Sequence, residues 1–589
     1  MKHKKIVSLL LVAAMAMSMT ACGSKEEAPA ADTTTTEKTE TKEEAPAADD
    51  AATGDLVTLD FAYSGYGNYP ADSVPFLQDL LAEKLGIAMN IWVTTDGATE
   101  DQTQLASGDF ADIIEWGQGT ENWTNVINGG YLVDLAQYKD KLPNVFENPL
   151  YEGAIQWKMD NHGDGEHLYS LPIRTGTQTN IYAFNPSVRW DLYEKVGKPA
   201  TATWDEFLDM LEEMQALEPT TDEGLPTYAL TMSGDSTHNF WLAYVWLRGA
   251  WLDVAGQIMC VNADGSVIEP AIADGSPLHE ALQWVFEANQ RGLLDPDGAT
   301  QSAEDMQAKI TNGQIMYTPF QWWGASNYNT KERMDAEDPK GYMELWADCM
   351  VLAEFSDNPV GNVRNVAITT SCENLDAALA YLNWLYGDDA DEGAKLYASG
   401  PEGLYWEYDA NGNQVPTQTY FDDNGDIYAT EFEGGGTMNE LRYVLGGDPI
   451  IAEATIDPAT GVEWSIVKQD AFKIEKTYTK LEQMWVDHLG GVDDPWDIYG
   501  KTEKTLKQVD GWSNVVLDPD MQDIQNDINL LLGEAQVKMV YAKDQATFDE
   551  IWNQLKEDAE TLGYAEYQEA YKVAWDKAIN DIKPYSYNK

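Results

Sequence analysis

The stretch Leu105-Ala106-Ser107-Gly108-Asp109-Phe110-Ala111-Asp112-Ile113-Ile114-Glu115-Trp116 decides how the chain is read. Ser107-Gly108-Asp109 is a turn, and Ala111 to Trp116 is a short apolar strand ending in an aromatic residue. Outward from it, Val57 to Tyr63 alternates apolar and polar residues as a strand does, and Val74 to Leu85 has a helical pattern closed by Gly86. Ile87 to Val93 is then the next strand. Strands alternating with helices predict an α/β architecture. Thr203-Trp204-Asp205-Glu206 is a capping box, with Phe207, Leu211 and Met214 following at helical spacing. The box recurs at Thr547-Phe548-Asp549-Glu550. Between about 405 and 512, Asp409-Ala410-Asn411-Gly412 and Asp423-Asn424-Gly425 predict hairpins. No repeat of 20 to 50 residues is present, which argues against solenoids and propellers.

The 589 residues include 100 acidic and 37 basic ones, a formal net charge of -63. Such a surface repels phosphate backbones and excludes nucleic acid as a partner. It also repels anionic lipid headgroups, so attachment to a membrane requires an anchor. Lys2, Lys4 and Lys5 precede an apolar stretch from Ile6 to Met19, too short to span a bilayer and of the length of a signal-peptide core. It ends in Met19-Thr20-Ala21-Cys22, which resembles the bacterial lipobox, with cleavage before Cys22 and acylation of its thiol. From Gly23 to about Gly54 no aromatic or large aliphatic residue occurs, so this segment is read as a disordered tether. Besides Cys22, only Cys260, Cys349 and Cys372 are present, widely spaced and without CxxC. They form neither a disulfide framework nor a zinc signature and are read as inert thiols.

Several of these segments, in this order, resemble the extracellular solute-binding proteins of sugar ABC importers, large lipoprotein relatives of maltose-binding protein. The opening stretch resembles their ASGD-x-PDII-x-W segment. Leu168-Tyr169-Ser170-Leu171-Pro172 through Ile181-Tyr182-Ala183-Phe184-Asn185 resembles YALP…YYN, the strand that crosses between lobes. Gly197-Lys198-Pro199 to Phe207 resembles G-x-P-x-TWDEF, Asn312 to Trp322 resembles GKAAM…W, and Gly400-Pro401-Glu402-Gly403 resembles GPEG. The resemblance covers about 55 to 405 and the tail from Val537 to Lys577, and is weaker from 405 to 530. It implies a two-lobed periplasmic-binding-protein-like (type II) fold with a hinge between lobes. Residues 1–21 would be the signal peptide and 22–54 the tether. The first lobe would hold 55–179 and 362–445, and the second 180–361 and 446–589. Crossings are expected near Thr179 to Asn185 and Asn362 to Thr370.

A sugar offers hydroxyls on its edges and C–H groups on its ring faces, so its site needs aromatic walls and a few inward polar groups. Trp116 ends its strand at the position the resemblance places on the first lobe's wall. Trp322 and Trp323 follow Phe320-Gln321, and adjacent residues on extended chain face opposite ways, so one of the two faces the core. The resemblance makes Trp322 the stacking platform and gives Trp241 an aromatic position at a helix start. Arg174, two residues beyond Pro172, can fork two hydrogen bonds to vicinal hydroxyls or a carboxylate. Tyr63 and Tyr66 flank Gly65, and Glu402 with Tyr405 completes the candidate set. Each also has a structural reading, packing for the aromatics and an ion pair for Arg174.

No GxSxG, HExxH or P-loop is present, so no catalytic residue, cofactor or metal is assigned. His162 and His167 lie near Asp160, Asp164 and Glu166, which a turn explains more simply than a metal. Asp422 to Asp426 hints at a calcium loop, but Ile427 stands where an EF-hand needs Gly. The resemblance implies a monomer that captures a carbohydrate, probed best with oligosaccharides, and delivers it to the permease subunits of an ABC importer. A surface polysaccharide-degrading enzyme, a sensor accessory protein and a binder of another solute remain open at this level. Cys22→Ser is expected to abolish palmitate incorporation; unchanged labelling would refute the lipobox reading.

Overall fold

Val57–Ser64 (β1) pairs in parallel with Ile87–Thr94 (β2), and the helix Pro75–Leu85 (α1) carries the chain between them. Proline in the first turn of α1 removes an N–H that would have no helical partner, and Gly86 ends the helix at φ 66°. The computed structural model describes residues 56–64, 73–94, 97–117, 121–178, 185–233, 251–252, 258–492, 494, 497–498, 500 and 505–586; the Trp322 side chain is not described. The signal and tether with Cys22, and also Tyr66, Trp241 and the first crossing at 179–184, lie outside the described residues.

The strand of the opening stretch is Ile113–Gly117 (β3), parallel to β1. Leu171–Pro172 (β4) and Arg364–Ile368 (β5) complete a five-stranded sheet of order β2-β1-β3-β5-β4, with β5 antiparallel to its neighbours. Side chains alternate between faces along a strand. Leu59, Phe61, Tyr63, Ile113, Val366 and Ile368 therefore enter one core, and Ala62, Ile114, Trp116 and Ala367 enter a smaller one on the opposite face.

A second large core is built from 188–352 and 481–575. The helix Trp204–Leu217 (α2) opens on the capping box: the Thr203 hydroxyl accepts from the Glu206 N–H at 3.2 Å, and the Glu206 carboxylate accepts from the Thr203 N–H at 3.1 Å. This fixes the register that buries Phe207, Leu208, Met210, Leu211 and Met214. Phe207 meets Trp284 of the helix Pro277–Gln290 (α3) at 6.4 Å and Tyr317 edge-on at 5.1 Å. Three C-terminal helices, Pro519–Val540 (α4), Gln545–Leu562 (α5) and Tyr564–Ile582 (α6), close this core with Ile528, Trp552 and Tyr571. None of the described helices is long and apolar enough to cross a membrane.

Three segments between the cores are laced together. Gly176 and Asn358 exchange both backbone hydrogen bonds at 2.9 Å, and Thr175 bridges to Ile451. The Thr177 N–H donates to the Thr455 hydroxyl at 3.0 Å. Gly176 sits at φ 127°, and a Cβ there would lie 1.9 Å from Thr455 Oγ1. Only glycine permits this approach.

Three expectations are corrected. The second capping box is internal to α5, because Asp544 is the N-cap and its carboxylate accepts from the Thr547 N–H at 2.9 Å. Asp423-Asn424-Gly425 ends the short helix Gln418–Asp422, with Asn424 left-handed at φ 54°, whereas Asp409 to Gly412 does turn the hairpin joining Trp406–Tyr408 to Gln414–Pro416. The boundary drawn at 445/446 precedes Ile450, Ile451, Trp464, Ile466 and Phe472, all in the first core, and the second core resumes only at Leu481.

Gly176→Ala is expected to destabilise the protein by ~1–3 kcal/mol through strain and displacement of Thr455. Urea denaturation checks this, and an unchanged midpoint would contradict the close approach.

Candidate functional site

Where these segments meet, a cavity of about 600 Å³ opens between the two cores. Arg174, Asn358, Asn362, Arg364 and Asp448 supply its polar floor. Tyr397, from the first core, and Phe355 and Trp512, packed against the second, supply aromatic walls together with Tyr428 and Tyr443.

Register explains how Arg364 finds its partner. Glu115 stands opposite Val366, and Arg364, two residues away on β5, shares that face. Arg364 Nη1 donates to Glu115 Oε1 at 3.1 Å. Behind the carboxylate, Gly446 at φ 107° approaches so closely that a Cβ would lie 2.7 Å from Glu115 Oε2. Asp448 accepts from Asn362 Nδ2 at 3.2 Å, lies 3.4 Å from Arg364 Nε, and pairs with Arg174. Burial pushes the Glu115 carboxyl up to about 8 despite the Arg364 charge beside it. Asp448 moves the other way: burial raises it, but the Arg174 and Arg364 guanidiniums prevail and hold it below its ordinary value.

Arg174 follows the end of β4 in the left-handed region, at φ 54°, and its N–H donates to the Pro449 carbonyl at 2.7 Å. That backbone state costs a non-glycine residue about 1–2 kcal/mol and is held by the laced segments around it. The side chain faces the cavity, 30% exposed, and its buried Nε has no hydrogen-bond partner among the described residues. On the far wall, Arg442 donates to the Tyr397 carbonyl at 3.0 Å and to Glu453 at 3.2 Å. Its guanidinium lies 5.1 Å from the Tyr397 ring centroid.

The sequence of residues 71–392 matches the family of bacterial extracellular solute-binding proteins. The chain belongs to that family. No curated protein sequence matches it. Among solved structures, the alginate-binding protein AlgQ2 is 15% identical, with a TM-score of 0.59 over 89% of this chain and 99% of that one. The S. pneumoniae ABC-transporter substrate-binding protein FusA, in complex with kestose, is 16% identical, with a TM-score of 0.56 over 88% and 99%. An HMO-binding, ABC-transporter-associated solute-binding protein from Bifidobacterium longum infantis is 13% identical, with a TM-score of 0.53 over 89% and 99%. These likenesses establish the two-lobed α/β fold of the solute-binding protein.

Of the sequence candidates, Arg174 lines the cavity of this solute-binding protein. Tyr63 is fully buried and supports the wall from behind, its hydroxyl donating to the Tyr443 carbonyl at 2.5 Å. Trp116 is 2% exposed and packs against Phe110 on the opposite face of the sheet from Glu115. Tyr405 is fully buried, its hydroxyl accepting from the Thr430 N–H at 2.9 Å, and Glu402 is exposed and not part of the cavity lining. Trp323 is half-buried, its ring 4.6 Å from Phe320. Glu115, Arg364, Tyr397, Asp448 and Trp512 were not singled out. An acid inside an apolar strand was the available signal for Glu115, and the glycine pair Gly446-Gly447 that for Asp448. His162 packs between Trp123 and Trp157, and burial pushes it down to about 3, while His167 bonds Asp134 at 2.9 Å. Among the described residues no three His, Cys, Asp or Glu side chains gather to hold a metal.

Because burial favours neutral Glu115, its contribution to stability is complete below its ordinary 4.5 and is lost as pH rises to about 8. Glu115→Gln removes this dependence. Denaturation at both ends of that window is expected to show the variant gaining on the native protein as pH rises, and a constant difference would contradict the assignment.

Proposed function

We propose that this solute-binding protein captures a carbohydrate, an oligosaccharide by the size of the cavity, between its lobes and delivers it to the permease of an ABC importer. The single observation that carries this is the placement of aromatic faces from both cores over one polar floor. Tyr397 on one side and Phe355 and Trp512 on the other can stack on C–H-rich ring faces. Asn358, Asn362 and Arg174 line the cavity with polar groups of the kind that bond ring hydroxyls. The names of the solved relatives, which specify alginate, kestose and HMO, support a carbohydrate.

In this reading the first lobe comprises 55–179 and 362 to about 475, and the second lobe 180–361 and the chain from about 476 to 589. Ligand contacts made from both lobes shift the population toward a closed form, which docks on the permease. Micromolar affinity, about -8 kcal/mol, allows both capture and release. The protein acts as a monomer outside the cell, held to the membrane by acyl chains on Cys22 and separated from it by the tether. Tyr66, Trp241 and Trp322 stay as candidate ligand contacts.

Titration with an oligosaccharide panel, followed by calorimetry and tryptophan fluorescence, tests the function. Saturable micromolar binding is expected, with Trp512→Ala weakening it by ~1–3 kcal/mol. Silence across the panel would overturn the proposal, and an unchanged Kd in Trp512→Ala would move the site elsewhere.

A further inference from the structure

The cavity inverts the charge balance of the chain. Acidic residues outnumber basic ones 100 to 37 overall, yet the charged residues lining the cavity are Arg174, Arg364, Arg442 and a single carboxylate, Asp448. Behind this lining Asp357 is balanced by Lys507 at 3.3 Å, and two further carboxylates pair with the arginines. Glu453 pairs with Arg442 at 3.2 Å and Glu115 with Arg364 at 3.1 Å. Burial drives Glu115 toward its neutral form up to about pH 8, so near neutrality three guanidiniums face two full negative charges. Asp448 is shared, since both Arg174 and Arg364 bond it.

Arg174 also differs from an arginine satisfied by structure alone, and Arg189 provides the comparison. Arg189 is fully buried, and its Nε and Nη2 donate to the Asp191 carboxylate at 3.0 and 2.9 Å. Its Nη1 donates to the Gly313 carbonyl at 3.1 Å, and Nη2 also meets Glu218 at 2.8 Å. Every nitrogen of that guanidinium has a protein acceptor. Arg174 gives Nη2 to Asp448 and makes no other side-chain hydrogen bond to a described residue, on a side chain 30% exposed that reaches the cavity from a strained backbone. The exposed edge of this guanidinium keeps donors free for a charged acceptor on the ligand.

We propose that the carbohydrate held in this cavity carries a carboxylate, as a uronic acid does, seated on Arg174 within the field of Arg364 and Arg442. The inference rests on the carbohydrate reading above and narrows it to acidic sugars. A planar carboxylate matches the edge of a guanidinium, and its charge completes the one-to-one balance that neutral Glu115 leaves open. Stacking by Tyr397 and Trp512 on the rings is retained. Asn358 and Asn362 serve the hydroxyls.

The test uses the full chain and short oligomers of galacturonate, glucuronate and mannuronate, each as the free acid and as its methyl ester, beside neutral oligosaccharides of equal length. The ester keeps ring geometry and removes charge. At least one free acid is expected to bind roughly thirtyfold or more tightly than its ester, the penalty of losing one partner of a buried charge pair. Arg174→Asn is the matching variant, because asparagine tolerates the left-handed backbone of this position. It is expected to bring acid and ester to similar affinities while leaving the circular dichroism spectrum native. Acid and ester binding alike in the native protein, or a neutral sugar binding more tightly than any acid, would overturn the carboxylate inference and leave the carbohydrate reading intact. Absence of binding by every acid, ester and neutral sugar would overturn both.

Discussion

Buried polar and charged groups must be paired, and in this protein one chain of contacts, Glu115–Arg364–Asp448–Arg174, ties four segments to a single point. β3, β5, the turn after Gly446-Gly447 and the crossing segment beyond β4 each contribute one member. Losing Asp448 would leave two guanidiniums without the carboxylate they share, so these segments cannot drift apart without a cost of several kcal/mol. The backbone exchange between Gly176 and Asn358 and the contact with Thr455 act in the same direction. The result is a pinned floor between two cores built from quite different elements, a five-stranded sheet on one side and a largely helical cluster on the other.

Much of this was legible in the sequence where the determining interaction is local. The capping box at Thr203 bonds residues three apart, Gly86 closes α1 by its own backbone conformation, and Asp409 to Gly412 folds on itself. Arg174 was found because it follows the strand that leaves the first lobe. Competing local signals caused the misplaced cap, since Asp544 and Thr547 are both good caps and only the packed helix shows which one is used.

What the sequence could not decide is which face of a strand meets the cavity. The opening strand holds both Glu115 and Trp116, and period-two geometry sends one to each side. The choice is made by β5, whose Arg364 lies 249 residues away. Trp116 drew the eye as an aromatic at a strand end, but it closes a small core with Phe110 and Trp123. Tyr405 is similar: its hydroxyl is spoken for by the backbone of Thr430, whose proximity depends on the turns between them. The aromatic walls come from 355, 397 and 512, and no spacing rule links those three positions.

A cavity that joins aromatic faces to a guanidinium floor suits a solvated, polar guest with apolar ring faces. The most direct measurement is a crystal structure of the protein grown with its tightest-binding sugar. Density is expected for a sugar ring stacked against Tyr397 or Trp512, with an oxygen within hydrogen-bond distance of the Arg174 guanidinium. A sugar seated on another surface, with the cavity occupied only by solvent, would contradict it.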